Sequence, residues 1–157
     1  MAKRLGVLGA AIALVALAVG VVSPALGSSG DDDDDKQWTI RVTSITTEEA
    51  FVDLGDKGDS LGDQFVFTSK YLKDGKEIGH DGVVCTITSL KRQEAQCVAT
   101  AWFRGGQITG QALVSFTEPP PAVPITGGSG KYKGVEGELH IRPVSETKEI
   151  LTFQLED

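Results

Sequence analysis

The sequence predicts an all-β domain folded as an eight-stranded antiparallel β-barrel. Past Lys36 no segment sustains the i, i+3, i+4 apolar spacing of an amphipathic helix for three turns. Short runs rich in Val, Ile, Thr and Phe follow one another instead, parted by Gly, Asp and Pro turns. So many strands in one domain must close into a barrel or split into two layers, and an eight-stranded barrel has room for packed side chains or one small ligand. The third observation is the glycine density of Ile125-Thr126-Gly127-Gly128-Ser129-Gly130-Lys131-Tyr132-Lys133-Gly134-Val135-Glu136-Gly137. Glycine at this density marks a backbone that bends, bulges or passes close to another strand.

In order along the chain, the predicted strands are residues 38–46, 49–54, 63–72, 82–90, 95–103, 107–116, 137–142 and 149–155. The turns between them are carried by residues 55–62, Asp74-Gly75, residues 91–94, Gly105-Gly106 and Pro119-Pro120-Pro121. Alternation in residues 63–72 puts Phe65, Phe67, Ser69 and Tyr71 on the inner face, with Val66, Thr68 and Lys70 outside. A serine and a phenol beside two phenylalanines read as the lining of a pocket rather than plain core. The glycine segment opens the strand that begins at Gly137, where Glu138 to Arg142 alternate polar and apolar. A dinucleotide fingerprint is excluded, because it enters a helix and Lys133 stands at its third glycine. A phosphate loop is excluded because Gly130-Lys131 is followed by Tyr132 instead of Ser or Thr.

The ends read differently from the middle. Lys3 and Arg4 precede an uncharged apolar run from Leu5 to Val22, and Ala25 and Gly27 supply the small residues of a cleavage site, so residues 1–27 are expected to be a signal peptide. Gly6, Gly9 and Gly20 and the small-residue exit favour cleavage over retention as an anchor, and no stable membrane insertion is expected afterwards. Residues 28–36, with five consecutive aspartates, read as a disordered acidic leader, and residues 37–157 as the barrel domain. Loss of Lys3 and Arg4 takes the formal charge from −7 to −9, which excludes nucleic acid as a partner, since that requires a basic patch. Cys85 and Cys97, the only cysteines, lie on two strands of one expected hairpin and in an exported chain read as a disulfide. His80, placed at a turn-to-strand junction, and His140 read as solvated or hydrogen-bonded histidines. Asp53, Asp56, Asp59 and Asp63 have a spacing unlike a calcium loop and read as a mobile acidic connector; no metal site is expected. Trp38 and Trp102, one aromatic on each of two strands, read as packed core.

Four stretches resemble the plant allene oxide cyclases in the right order. They are Ser60-Leu61-Gly62-Asp63-Gln64-Phe65-Val66-Phe67-Thr68-Ser69-Lys70, Ile78-Gly79-His80-Asp81-Gly82-Val83-Val84-Cys85-Thr86-Ile87, Gly106-Gln107-Ile108-Thr109-Gly110-Gln111-Ala112, and the glycine segment from Pro124. The same barrel is similar to that of dirigent proteins and spirotetronate-forming cyclases. The resemblance implies an eight-stranded barrel, lipocalin-like in outline and often oligomeric, in a bacterial secreted member of that superfamily. It implies a small apolar ligand or substrate and no cofactor. The chain departs from the family pattern in having no asparagine, no carboxylate in residues 39–45, and Ser69 where the pattern has asparagine. The family's pocket cysteine corresponds to Cys85. Two readings follow: an exported barrel steering cyclisation or isomerisation of an apolar substrate, an isomerase or cyclase in kind, or a non-catalytic secreted barrel that binds a hydrophobic ligand or an envelope partner.

Overall fold

The computed structural model describes residues 36–156. The expected signal peptide and all of the expected acidic leader but Lys36 lie outside the described residues. Eight antiparallel strands close on themselves in sequence order: β1 Trp38–Val52, β2 Gln64–Lys73, β3 Lys76–Ser89, β4 Glu94–Phe103, β5 Gly106–Ser115, β6 Val123–Gly130, β7 Glu136–Ser145 and β8 Lys148–Glu156. β1 pairs with β8 from Trp38↔Leu155 to Ile45↔Lys148 and with β2 from Thr43↔Leu72 to Val52↔Gln64, so no strand edge is left over between first and last.

The strand count agrees with the expectation, but the segmentation does not. Residues 38–46 and 49–54 are one strand. The polar run Thr46-Thr47-Glu48-Glu49 breaks the alternation because a bulge there sets Thr46 against Ser69 and Glu48 against Thr68. The Thr47 hydroxyl donates to the Thr68 carbonyl at 3.2 Å across that bulge. β1 must be long because its first half serves β8 and its second half serves β2, as strands tilted around a barrel do.

The count of eight is restored by β6, formed from the first part of the glycine segment. β6 pairs with β5 from Gly106↔Gly130 to Gly110↔Ile125, and with β7 only through Val123↔Leu139 and Pro124↔Glu138. Its glycines are steric: a Cβ on Gly128 would stand 2.2 Å from the Tyr132 carbonyl oxygen. Backbone packs against backbone here, which no side chain permits.

β3 begins at Lys76, six residues before the expected start. Asp74 (φ 51°) and Gly75 (φ 75°) form a two-residue hairpin turn with both central residues left-handed, so pairing with β2 resumes at Lys73↔Lys76. His80 therefore lies within a strand, not at a junction.

Inward side chains fill one end of the barrel. Tyr71, Phe103, Phe153 and Tyr132 pack with ring centroids 5.4 to 6.3 Å apart, joined by Val42, Ile108 and Leu155. The turn between β6 and β7 supplies Tyr132 and Val135, both buried, as a plug. The core is thus gathered at the end where β1 starts and β8 stops.

Candidate functional site

Above the aromatic plug the lumen changes character. A polar band crosses it at the level of Ser44, which pairs with Tyr71 on one side and Glu149 on the other. Ser44, Ser69 and Asp81 are buried, and Asp81 pairs in register with Ala101. Tyr71 donates its hydroxyl proton to Asp81 Oδ2 at 2.9 Å, and the Ser69 amide donates to Asp81 Oδ1 at 2.6 Å. The Thr68 hydroxyl, on the outer face, donates to the Asp81 carbonyl. The Asp81 side chain is therefore fixed from two directions. Gly79 makes room for the Tyr71 ring: a Cβ there would stand 3.3 Å from Tyr71 Cδ2.

The band floors a cavity of about 250 Å³. Its walls are Phe67, Val83, Ala99, Ala112, Val114 and Ile141, with Pro120 and Pro121 at the rim. The space exists because β4 and β5 present alanines where their neighbours present larger groups. Tyr71, Asp81 and Glu149 bring the polar atoms. A mostly apolar cleft with a few convergent polar groups is the usual form of a small-molecule site, and this one lies near the small end of the roughly 300–1,000 Å³ range.

Burial raises the Glu149 carboxyl above the ordinary carboxylate range, and the negative charge of Asp81 raises it further. Burial likewise raises Asp81, opposed by the hydrogen bonds from Tyr71 and Ser69. The Tyr71 phenol is driven far up by burial and then by the Asp81 charge, so it stays protonated and donates. Two carboxyl groups whose hold on a proton is strengthened by burial beside an apolar cavity can serve as acid and base to a bound molecule.

Of the residues expected to line a pocket, Phe67 and Tyr71 line the cavity. Ser69 is buried on the same face and reaches Asp81 through its amide. Phe65 shares their parity but lies beyond the cavity at the end of β2, 38% exposed, between Phe51 (4.9 Å) and Phe116 (5.6 Å). Cys85 and Cys97 are opposed across β3 and β4 with Cα atoms 3.9 Å apart, and are joined by a disulfide that forms part of the cavity wall.

Neither histidine enters the lumen. His80 faces outward and stacks on Trp102, centroids 5.1 Å apart, and His140 faces outward 3.4 Å from Glu138. Trp38 packs against the core, whereas Trp102 is outside it and 42% exposed. Asp63 does not belong with the loop acids. It is fully buried and accepts from the Leu54 amide (2.9 Å), the Ser60 amide (2.7 Å) and the Ser60 hydroxyl (3.0 Å). It ties the connector down because its carboxylate replaces the backbone partners that the loop lacks. Among the described residues, no group of three His, Cys, Asp or Glu side chains could hold a metal ion.

Asp81 and Glu149 were missed as site residues, although the signal was present in the sequence. Asp81 alternates with Val83, Cys85 and Ile87, and Glu149 with Leu151, Phe153 and Leu155, so each acid shares the parity of an apolar face. A carboxyl on an inward face is costly unless paired or protonated, which marks it for a site.

Residues 39–155 match the family described as allene oxide cyclase barrel like domain. No curated protein matches the chain. Among solved structures, a pyocyanin demethylase is 29% identical, with TM-score 0.67, over 75% of this chain and 99% of its own. A protein described as a nonspecific heme-binding cyclase that catalyses a cycloaddition in neoabyssomicin biosynthesis is 17% identical, with TM-score 0.64, over 80% of this chain and 66% of its own. The Diels–Alderase AbmU from Streptomyces koyangensis is 15% identical, with TM-score 0.63, over 80% of this chain and 70% of its own.

Proposed function

Because the chain belongs to the family of allene oxide cyclase barrel like domains, we propose that it is an exported barrel that binds a small apolar molecule in its lumen and steers its cyclisation or isomerisation. The observation that carries this reading is the apolar cavity floored by Tyr71, Asp81 and Glu149. Such a site needs little machinery. Holding a flexible molecule in one reactive shape removes several kcal/mol of barrier, of the roughly 7–11 kcal/mol that ideal orientation can supply. Glu149, raised by burial, gives a proton to the reacting molecule or takes one from it, while Asp81 is held by Tyr71 and Ser69 as its partner in charge. The cyclase and the demethylase among the structural neighbours support a reactive-substrate barrel. Export is supported by the N-terminal charge, the apolar run and the small-residue exit.

A second reading, binding without turnover, is favoured by the disulfide, which takes the thiol from the one cysteine that corresponds to the family's pocket cysteine. One experiment separates them. Thermal stabilisation of the purified protein is measured against polyenes, phenolics and planar heteroaromatics such as pyocyanin. A ligand at about 100 times its Kd adds about 2.7 kcal/mol to stability. Filling the cavity through Ala112→Phe should abolish that stabilisation. Product formation that falls in Glu149→Gln while binding persists supports turnover. Stabilisation without product leaves the binding reading, and no stabilisation by any compound sinks both.

A further inference from the structure

Resting on that reading, we propose that the lumen selects its ligand by charge: it accepts small molecules that are neutral hydrogen-bond acceptors or cations, weakly basic nitrogen heteroaromatics above all, and rejects carboxylates. Among the described residues, the cavity lining carries two carboxyl side chains and no Lys, Arg or His. The cations adjacent in sequence to lining residues do not help, because Lys70, Arg142 and Lys148 alternate with the inward Tyr71, Ile141 and Glu149 and so belong to the outer face.

The two acids differ in what they can still offer. Asp81 is already engaged by the Tyr71 hydroxyl and the Ser69 amide. Glu149 takes part in neither ion pair found among the described residues, Arg92 with Glu94 and Glu138 with His140. Glu149 is thus the group that meets the ligand. Protonated, it donates to a ring nitrogen or a carbonyl oxygen. Ionised, it pairs with a protonated nitrogen. A weak base is suited to both states, since the two differ only in which partner holds the proton.

A carboxylate can accept from the protonated form, but its charge has nothing to balance it in either state. It brings a negative charge into a partly buried cavity beside two acids, with no Lys, Arg or His in the lining to receive it, and like charges at close range repel strongly where water is partly excluded. Discharging it would take a second proton into the cavity. The volume of about 250 Å³ also limits how much of a long acyl chain the cavity can bury. Charge and shape together point away from free fatty-acid derivatives.

The test uses three probes of one bicyclic size: quinoline, 1-naphthylmethylamine and 1-naphthoate, titrated calorimetrically into the purified protein at neutral pH. Quinoline and the amine should bind at least about tenfold more tightly than the naphthoate, the least that one like-charge contact at partial burial should impose. Glu149→Gln should narrow that ratio, and Glu149→Ala should repeat the effect. Equal binding of naphthoate and amine overturns the charge selection while leaving the small-molecule reading in place. An unchanged ratio in both Glu149 variants overturns the assignment to Glu149. Silence from all three probes overturns the selection, and silence from the wider ligand panel as well removes the cavity reading beneath it.

Discussion

Asp63 and the pair Asp81 and Glu149 show how three carboxyl groups of similar intrinsic acidity are driven in opposite directions by their surroundings. Hydrogen bonds from the Leu54 and Ser60 amides and the Ser60 hydroxyl hold Asp63 below its ordinary value against the opposing effect of burial. Asp81 and Glu149 are raised, burial being the largest cause in each. The consequences for stability have opposite signs. A raised carboxyl contributes stability that is complete below its unfolded value and is lost as pH rises through its folded value. A depressed one contributes stability present above its unfolded value and lost as pH falls through its folded value. Unfolding should therefore become harder as pH falls from neutral toward the ordinary carboxylate range, and easier again as pH falls below it. Urea unfolding across that span checks this. Asp81→Asn with Glu149→Gln should flatten the rise, and Asp63→Asn should flatten the acid loss. A wild-type profile without the rise would count against burial of the lumen acids.

Among the elements, the β2–β3 hairpin positions the site. Its two-residue turn at Asp74-Gly75 pairs Lys73 with Lys76 and Leu72 with Glu77, a bulge beyond that pair opposes Tyr71 to Gly79, and Asp81 then falls two residues on, within reach of the Tyr71 hydroxyl. Gly79 has no room for a side chain: a Cβ would stand 2.3 Å from the Trp102 carbonyl oxygen and 3.0 Å from Phe103 Cδ1. Gly79→Ala should cost about 1–3 kcal/mol, the range for overpacking a filled interior, because β4 backbone cannot yield without leaving the sheet. Gly82→Ala, three residues away and outward-facing, meets nothing within 4 Å and should be neutral or mildly stabilising, by about 0.4–1 kcal/mol. Urea midpoints of the two variants measure the difference. A Gly79→Ala protein as stable as wild type would mean the β3–β4 approach is looser than described.

For the whole molecule, closure depends on an uneven set of seams. β6 meets β7 in only two register pairs, whereas β4 pairs with β3 along its whole length and is also joined to it by the disulfide. The disulfide closes a loop of 12 residues, and its loss should cost about 3 kcal/mol through the freedom restored to the unfolded chain. A thiol reagent should leave the native protein unlabelled and modify both cysteines after reduction. Urea unfolding of the reduced, alkylated protein should show the lower stability with the same far-ultraviolet circular dichroism. Rapid labelling before reduction would contradict the bond.

The sequence by itself determined the class of fold, the hairpin that joins Cys85 to Cys97, and the inward parity of Phe67, Ser69 and Tyr71. These are local properties: alternation and turn chemistry act over a few residues and are written in adjacent positions. Only the tertiary structure decided that residues 38–52 are one strand, because the bulge between Thr46 and Glu48 is accommodated by β2 while β8 pairs with the first half of the strand, and both partners lie elsewhere in sequence. It decided that the first part of the glycine segment is itself a strand, since its backbone is accepted by β5 without side chains to signal it. It also decided the site. Asp81 and Glu149 lie 68 residues apart and share a cavity only because the barrel closes, and closure is what shifts both carboxyl groups by burial. Phe65 kept its predicted parity and still missed the cavity, because parity fixes the face of a strand and the closing of the barrel fixes the height.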